Sequence, residues 1–236
     1  MKPFCVSAPA RVDLAGGTLD IWPLSAMVPG AATFNCTLSD GITLDIHPVT
    51  GTTMLENAAT GISREWPAEH DDLHILTAPI VQLAPDLQTG WHITLSTGIP
   101  RGSGLGTSSV ILAAMLTALD HIRGTETDPY DKVAIASDIE ARIIGVPTGV
   151  QDYVAPVFGG LSEITFPPGG FHVHRHPVPE ALARDAILVF TGIHHFSGAP
   201  NWEVLKLMVE QPDKRTALEQ LVAVTEQVRS ALERDD

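Results

Sequence analysis

A glycine-rich segment that runs straight into an apolar stretch is the feature that most limits the folds open to this chain. Residues 96–109 read STGIPRGSGLGTSS, and residues 108–122 are almost wholly apolar up to Gly124, which is typical of a helix end. Residues 91–96 alternate apolar and polar side chains, as a half-buried strand does. The pattern therefore predicts a strand, a glycine loop and a buried helix, in that order.

The glycine loop predicts an anion site. Backbone N–H groups at a helix N-terminus point toward negative charge, and residues without a Cβ let a phosphate approach the backbone. The loop is not a Walker A motif, because no lysine precedes its hydroxyl residues, and its GxGxG spacing is not the dinucleotide fingerprint. A glycine turn capped by serine or threonine is the alternative. The residues that favour triphosphate binding are Gly102, Gly104, Gly106, Thr107, Ser108 and Ser109.

A second predicted helix carries a carboxylate on its apolar side. Asp128 as N-cap and Pro129 in the first turn predict a helix that continues to about Ile144. At about 100° per residue, Glu140 falls inside the apolar arc of that helix. A buried carboxylate needs a cation, a metal ion or strong donors. We favour metal ligation together with hydroxyl and phosphate oxygens; an ion pair with Lys132, on the same arc, is the alternative.

Two further acids lie in segments bounded by glycine. Asp152 follows the second helix in GVPTGVQD, where it could accept a proton from a substrate hydroxyl or, alternatively, cap the next helix. Arg11 and Asp20 flank a glycine-containing turn near the N-terminus. Arg11 could bind a carboxylate or phosphate, and Asp20 could accept hydrogen bonds from vicinal hydroxyls. Without further evidence, a surface ion pair between Arg11 and Asp20 is the better interpretation.

Charge and composition exclude several classes of partner. Lys and Arg total 14 against 28 Asp and Glu, a net charge of −14, which disfavours nucleic acid and anionic membrane surfaces. No apolar run reaches the length of a membrane span, so we expect a soluble cytoplasmic protein. Cys5 and Cys36 lack the spacing of a zinc site and are predicted to be core thiols. Nothing in the sequence indicates an oligomeric state.

The order of the predicted elements favours an α+β fold. Strand patterns at residues 41–49, 91–96 and 186–191 mix with helical patterns without a regular βαβα alternation. Further helices are predicted at residues 202–211 and 218–232. A boundary near residues 167–170 would separate an N-terminal domain, 1–168, from a C-terminal piece, 169–236; a loop inside one domain is the alternative. His172, His174 and His176 alternate on one strand and are assigned to a solvated face rather than to zinc.

Three segments resemble motifs of the GHMP kinase superfamily, which includes galactokinase, homoserine kinase, mevalonate kinase and phosphomevalonate kinase. They are APARVDLAGGTLD, IPRGSGLGTSSV and EARIIGVPTGVQDYVAPVFGGL, and the resemblance covers about residues 8–165. It implies a two-domain α+β fold, ATP and Mg²⁺. By position it implies Ser108 and Glu140 as magnesium ligands, Asp152 as the catalytic acid-base residue and Arg11 as the cation beside it. It adds Pro100, Ser103 and Leu105 to the nucleotide-binding set, and implies substrate contacts from Gly17, Thr18, Asp20, Gly149 and Gln151.

Within the superfamily, GGTLD and FTGIHHFSGAPNWEVLK resemble the branch that contains heptose-7-phosphate kinase and fucokinase-type enzymes. This resemblance implies an ATP-dependent kinase that acts on a hydroxyl, by preference the anomeric one, of a small sugar or sugar phosphate. The third glycine-rich motif of the superfamily is absent from these residues, so we expect an incomplete C-terminal domain. The alternative function is a non-catalytic regulator that binds a sugar or a nucleotide.

Overall fold

The computed structural model describes residues 1–66, 73–87, 89–100, 102–193, 198–211 and 215–234. In these ranges a six-stranded antiparallel sheet packs against helices, which confirms the α+β class. The strands are β1 (Phe4–Ala15), β2 (Ala32–Asn57), β3 (Ile62–Trp66), β4 (Thr89–Thr97), β5 (Leu161–Thr165) and β6 (His172–His176). The helices are α1 (Leu24–Met27), α2 (His74–Leu83), α3 (Thr107–Arg123), α4 (Pro129–Ile144), α5 (Gln151–Phe158), α6 (Glu180–Asp185), α7 (Gly198–Glu210) and α8 (Arg215–Arg234).

The long strand β2 organises the sheet. Residues 34–46 of β2 pair with β1 and residues 32–36 pair with β5. Further along, residues 42–57 pair with β4 and residues 53–57 pair with β3. Register shifts opposite β1 and β4 bend it, so that one strand can serve several partners. Strand β5 continues the sheet to β6. Because β1 and β5 pair with opposite edges of β2 near its start, the two strands lie one strand apart in the sheet.

Helix α3 forms as predicted and lies in the core. The left-handed residues Gly106 (φ 70°) and Gly124 (φ 66°) flank it. Its apolar residues face the sheet on one side and helices α2, α4 and α5 on the other; Val110, Leu112 and Met115 are fully buried. A helical segment that is apolar on all sides is stable only when covered all round, and residues 109–116 are buried at every position.

Helix α4 begins and ends where its capping residues predict. The Asp128 side chain accepts a hydrogen bond from the Tyr130 amide at 2.8 Å, Pro129 occupies the first helical position, and Gly145 ends the helix at φ 72°. The helical predictions near the C-terminus are also confirmed as α7 and α8. No described helix is long and apolar enough to cross a bilayer.

Two predictions on local structure are wrong. Residues 186–191 form no strand, and Ile187 and Val189 are 86% and 73% exposed, since no described strand pairs with this run. Cys5 is exposed and only Cys36 is buried, because alternation along β1 turns Cys5 outward together with Ser7.

The proline and glycine cluster at residues 167–170 connects β5 to β6. These two strands pair antiparallel from Leu161 opposite His176 to Thr165 opposite His172. The cluster is therefore the turn of a hairpin within the sheet. Division of the chain into domains 1–168 and 169–236 stays a prediction.

Candidate active site

Arg11 links the glycine loop to the start of helix α5. It lies on β1 and is 5% exposed. Its Nη1 donates to the carbonyl oxygen of Gly104 at 2.6 Å, while Nε and Nη2 donate to Oδ1 of Asp152 at 3.0 and 2.5 Å. The interpretation of Arg11 and Asp20 as a surface ion pair is wrong, because Arg11 is buried and its ion-pair partners are other residues.

Asp152 keeps one carboxylate oxygen free. Both bonds from Arg11 fall on Oδ1, and in the described ranges Oδ2 accepts no hydrogen bond. The residue lies in the first turn of α5, whose N-cap position is Val150, so the alternative that Asp152 caps this helix does not hold. The side chain is 27% exposed. A half-buried carboxylate with one fixed and one free oxygen is suited to accept a proton from a bound hydroxyl.

Asp13 is a second carboxylate on Arg11 that the sequence reasoning missed. Its Oδ1 lies 3.1 Å from Arg11 Nε. Burial raises the pKa of Asp13 to about 6, although the positive charge of Arg11 opposes that shift. Burial alone would lower the pKa of Arg11, but the charges of Asp152 and Asp13 outweigh burial and raise it. The signal was present, because residues two apart on a strand face the same side.

Glu140 faces the interior, as the helical projection predicted, and its partners are hydroxyl groups. Its Oε2 accepts hydrogen bonds from Ser109 Oγ at 2.7 Å and Tyr153 OH at 2.5 Å, and Oε1 accepts none from the described residues. Burial raises the pKa of Glu140, and the two hydrogen bonds partly counter it. The ion-pair alternative is wrong, because Lys132 Nζ instead lies 3.0 Å from Asp120 Oδ2.

The glycine loop adopts a backbone that favours glycine. Gly102, Gly104 and Gly106 have φ angles of 73°, 78° and 70°. No side chain caps the start of α3 and no acidic residue lies in its first turn, so the first N–H groups of this helix are not used by a capping side chain. The Ser103 hydroxyl is buried without a described hydrogen-bond partner. These features suit an anionic ligand such as a phosphate.

The hydroxyl residues after the loop separate into two environments. Ser108 is exposed, whereas Ser109 is buried and directed at Glu140. The residue that touches Glu140 is thus Ser109, and Ser108 has no hydrogen bond to Glu140 in the structure. Arg101, the cation of the glycine loop, lies outside the described residues.

The predicted substrate contacts gather around Asp20. Its Oδ2 accepts a hydrogen bond from the Gln151 amide at 2.9 Å, and Gly17 and Thr18 belong to the same turn, Gly17–Asp20. A Cβ on Gly149 would lie 1.8 Å from Asp20 Oδ2, so only glycine fits there. Burial raises the pKa of Asp20 to about 7, and the charges of Asp152 and Asp13 add to the shift.

Polar atoms beside this group remain without described partners. Asn35 on β2 donates Nδ2 to the Gln151 carbonyl at 2.9 Å. Asn35 Oδ1 and Gln151 Oε1 are buried and accept no hydrogen bond from the described residues. Buried polar atoms normally find partners, so this position suits a polar ligand. Asn35 was missed by the sequence reasoning, because its place depends on strand pairing, which sets it opposite Asp13 on β1 and Ser162 on β5.

The donor set fits magnesium better than zinc. Mg²⁺ usually takes one or two carboxylates together with phosphate oxygens and water. Glu140 Oε1 and the exposed Ser108 hydroxyl are hard oxygen donors of this kind. Among the described residues no group of three or more His, Cys, Asp or Glu side chains could hold a metal ion. Of the three alternating histidines on β6, His176 has its Nε2 atom 3.0 Å from Glu163 Oε2.

Comparison with known proteins identifies the segment that carries this site. Residues 74–160 match the family described as GHMP kinases N terminal domain. This part of the chain is similar to a GHMP kinase N-terminal domain. The matched segment holds the glycine loop, helix α3, Glu140 and Asp152, whereas Arg11 and Asp20 reach the same place from β1 and the turn that follows it.

Individual relatives agree with the family. The chain is 29% identical over 214 residues to the bifunctional fucokinase/GDP-fucose pyrophosphorylase of Arabidopsis thaliana, a match that covers 79% of this chain and 20% of the relative. It is 32% identical over 114 residues to the homoserine kinase of Limosilactobacillus fermentum, a match that covers 48% of this chain and 37% of the relative. The chain thus spans well under half the length of these relatives.

Solved structures support the fold. The crystal structure of a D-glycero-D-manno-heptose 1-phosphate kinase from Bacteroides thetaiotaomicron superimposes with a TM-score of 0.72 at 21% identity. The match covers 98% of this chain and 74% of that one. The architecture described above is therefore similar to the fold of that kinase.

Proposed function

We propose that this protein is an ATP-dependent kinase that transfers the γ-phosphoryl group to a hydroxyl of a sugar or sugar phosphate. One observation carries the proposal: Arg11 donates hydrogen bonds to Gly104 in the glycine loop and to Asp152 Oδ1 at the same time, and no described residue donates to Asp152 Oδ2. A candidate anion site and a candidate base therefore lie within the reach of one guanidinium. This is the arrangement that phosphoryl transfer to an alcohol requires.

The loop and the start of α3 bind the triphosphate in this proposal. The contributing residues are Pro100, Gly102, Ser103, Gly104, Leu105, Gly106, Thr107, Ser108 and Ser109. The backbone N–H groups of these residues, other than Pro100, which has none, and the helix N-terminus supply fixed positive dipoles. Since the chain has a net charge of −14, it repels ATP at long range, and these local donors must supply the affinity.

Asp152 activates the acceptor. Its Oδ2 accepts the proton of the substrate hydroxyl as the hydroxyl oxygen bonds to the γ-phosphorus, and the bond from that phosphorus to the bridging oxygen of ADP breaks. Arg11 holds Oδ1, so that Oδ2 stays directed away from the guanidinium. Arg11 also places positive charge beside the site of charge transfer.

Glu140, through Oε1, and Ser108 would hold Mg²⁺. The ion would neutralise charge on the triphosphate when bound. Glu140 is suited to this role because Ser109 and Tyr153 already occupy its other oxygen. Ser108 is suited because its hydroxyl is exposed in the first turn of α3.

The sugar is proposed to contact the group around Asp20. A buried carboxylate, the unpaired amide oxygen of Gln151 and the narrow space at Gly149 favour a small polyhydroxylated ligand. Gly17 and Thr18 complete this set. The names of the Arabidopsis fucokinase and the Bacteroides heptose phosphate kinase support a sugar or sugar phosphate as the substrate. The preference for the anomeric hydroxyl as acceptor rests on the sequence resemblance alone. Residues 1–168 are proposed as the nucleotide-binding domain, with 169–236 part of a second domain.

ATP consumption and ligand binding, measured on the same sugars, test the proposal. The purified chain is incubated with ATP, Mg²⁺ and a panel of free and phosphorylated hexoses and heptoses, and product is detected by mass spectrometry. Calorimetry with each sugar runs beside it. Phosphorylated product that disappears in Asp152→Asn supports the kinase; binding without product supports the non-catalytic regulator instead.

A further inference from the structure

Tyr153 is a buried residue of the site whose role the reaction above does not require. Its side chain is 1% exposed and packs in the cluster of α3, α4 and α5 that includes Leu112 and Val133. Its hydroxyl donates to Glu140 Oε2 at 2.5 Å and lies 3.1 Å from Thr148 Oγ1. It directly follows Asp152 in the first turn of α5.

Two donors from different helices converge on one oxygen of Glu140. Ser109 reaches Oε2 from α3, and Tyr153 reaches the same oxygen from α5, while Glu140 itself lies on α4. Rotation of the carboxylate would break both bonds at once. The carboxylate is therefore fixed in one orientation, and among its two oxygens Oε1 accepts no described hydrogen bond.

Hydrogen-bond donors to a metal-binding carboxylate commonly fix its orientation toward the metal ion. A ligating group that is hydrogen-bonded on its remote atom keeps its near atom in place, so the metal does not have to order it on binding. The same first turn of α5 carries both Asp152 and Tyr153. The first turn of α5 thus positions the proposed base, Asp152, directly and positions Glu140 through the Tyr153 hydroxyl.

We propose that Tyr153 and Ser109 are positioning residues that hold Glu140 Oε2, so that Oε1 is the oxygen that binds the divalent cation. This inference rests on the proposed function, because it assigns Glu140 to the cation of the nucleotide. Tyr153 touches neither the acceptor nor the nucleotide in this role. It acts through Glu140.

Mn²⁺ titration followed by electron paramagnetic resonance tests the inference without turnover. Free and bound Mn²⁺ are measured with a non-hydrolysable ATP analogue and with wild type, Tyr153→Phe, Ser109→Ala or Tyr130→Phe. Tyr130 is the matched control, since it is the only other tyrosine and its hydroxyl accepts from the Val173 amide instead. Tyr153→Phe is expected to weaken Mn²⁺ binding about tenfold or more, Ser109→Ala to weaken it as well, and Tyr130→Phe to leave it unchanged.

A parallel activity measurement separates positioning from packing. The Mg²⁺ concentration for half-maximal turnover should rise about tenfold in Tyr153→Phe, while kcat at saturating Mg²⁺ stays within about threefold of wild type. Chemical denaturation gives the free energy of unfolding of each variant. A structural role alone would lower that free energy and leave the Mn²⁺ affinity unchanged.

The outcomes are distinct. If wild type binds the cation at Glu140 and both variants match it or bind more tightly, the inference fails and the proposed function stands. If wild type binds no Mn²⁺ with the nucleotide analogue, both fail. Should Tyr153→Phe not fold, Ser109→Ala alone decides: wild-type Mn²⁺ affinity in that variant overturns the inference, and weakened affinity supports it.

Discussion

Arg11 directs both Nε and Nη2 at a single oxygen, Oδ1, of Asp152, although 141 residues separate the two in the chain. An arginine and a carboxylate often pair with two parallel bonds, one to each oxygen. Here both bonds go to Oδ1, and Arg11 does not bond the second oxygen, Oδ2. The pairing therefore fixes Asp152 without using the atom that the proposed proton transfer requires.

Replacement of Asp152 by asparagine tests the base. Asparagine retains the size of the side chain but cannot accept the proton, so turnover should fall by about 10²–10⁴-fold, the usual contribution of a general base. Nucleotide affinity, measured by calorimetry, should stay within about threefold, because Asp152 bonds Arg11 and not the loop. The exposed Asp131→Asn serves as control. Undiminished turnover in Asp152→Asn would remove Asp152 from this role.

Replacement of Arg11 by lysine tests whether the planar guanidinium group is required. A lysine ammonium keeps the charge but cannot bond Gly104, Asp152 and Asp13 with a fixed planar geometry. We expect kcat/KM to fall about 100-fold, typical of a lost electrostatic contact at a reacting centre. Arg184→Lys is the control.

The control arginine, Arg184, is exposed, and among the described residues its ion-pair partner is its chain neighbour Asp185. Its replacement should leave kcat/KM unchanged. Equal activity of Arg11→Lys and the wild type would show that charge alone suffices and that the observed pairing geometry does not matter.

Replacement of Gly149 by alanine tests the space beside Asp20. The new Cβ would lie 1.8 Å from Asp20 Oδ2, far inside contact distance, so the loop must move and the bond to the Gln151 amide is lost. The free energy of unfolding should fall by about 2–4 kcal/mol, in the range of severe steric changes. Gly98→Ala meets no atom within 4 Å and is the matched control. Equal losses in both variants would contradict the packing described.

The pH dependence of stability tests Asp20. Its pKa is about 7 in the folded protein, above its ordinary value of 3.8, so the folded state binds this proton more tightly. The stabilisation is complete below about pH 3.8 and is lost as pH rises through about 7. Each unit of pKa difference is worth about 1.4 kcal/mol, and the free energy of unfolding should thus fall by a few kcal/mol from pH 4 to pH 8.

Asp20→Asn removes this dependence. The amide oxygen of asparagine can still accept the Gln151 N–H, so the variant should fold and show a flatter stability profile, above all between pH 6 and pH 8. Asp13, whose pKa is raised to about 6, accounts for the slope that persists below pH 6. The exposed Asp86→Asn should keep the wild-type profile. An unchanged slope in Asp20→Asn would assign the pH dependence to other groups.

Local signals explain why the helices were predictable. Asp128, Pro129 and Gly145 fix the ends of α4 through capping, which depends on residues a few positions apart. Gly106 and Gly124 do the same for α3. The orientation of Glu140 followed from helical periodicity, because an apolar arc shows which face is buried.

The partners within the site could not be read in this way. Which hydroxyl reaches Glu140 depends on how α3, α4 and α5 pack, and the structure selects Ser109 and Tyr153. The strand predicted at 186–191 is wrong for the same reason, because its formation also depends on a partner elsewhere in the fold. An apolar run is a strand only where another strand pairs with it, and the sequence of the run does not contain that partner.

Anomalous diffraction from a crystal grown with Mn²⁺ and a non-hydrolysable ATP analogue tests the central claim most directly. We expect an anomalous peak about 2 Å from Glu140 Oε1, with the phosphates on the amides of residues 102–107. A nucleotide bound away from that loop, with no cation at Glu140, would contradict the assignment of this site to phosphoryl transfer.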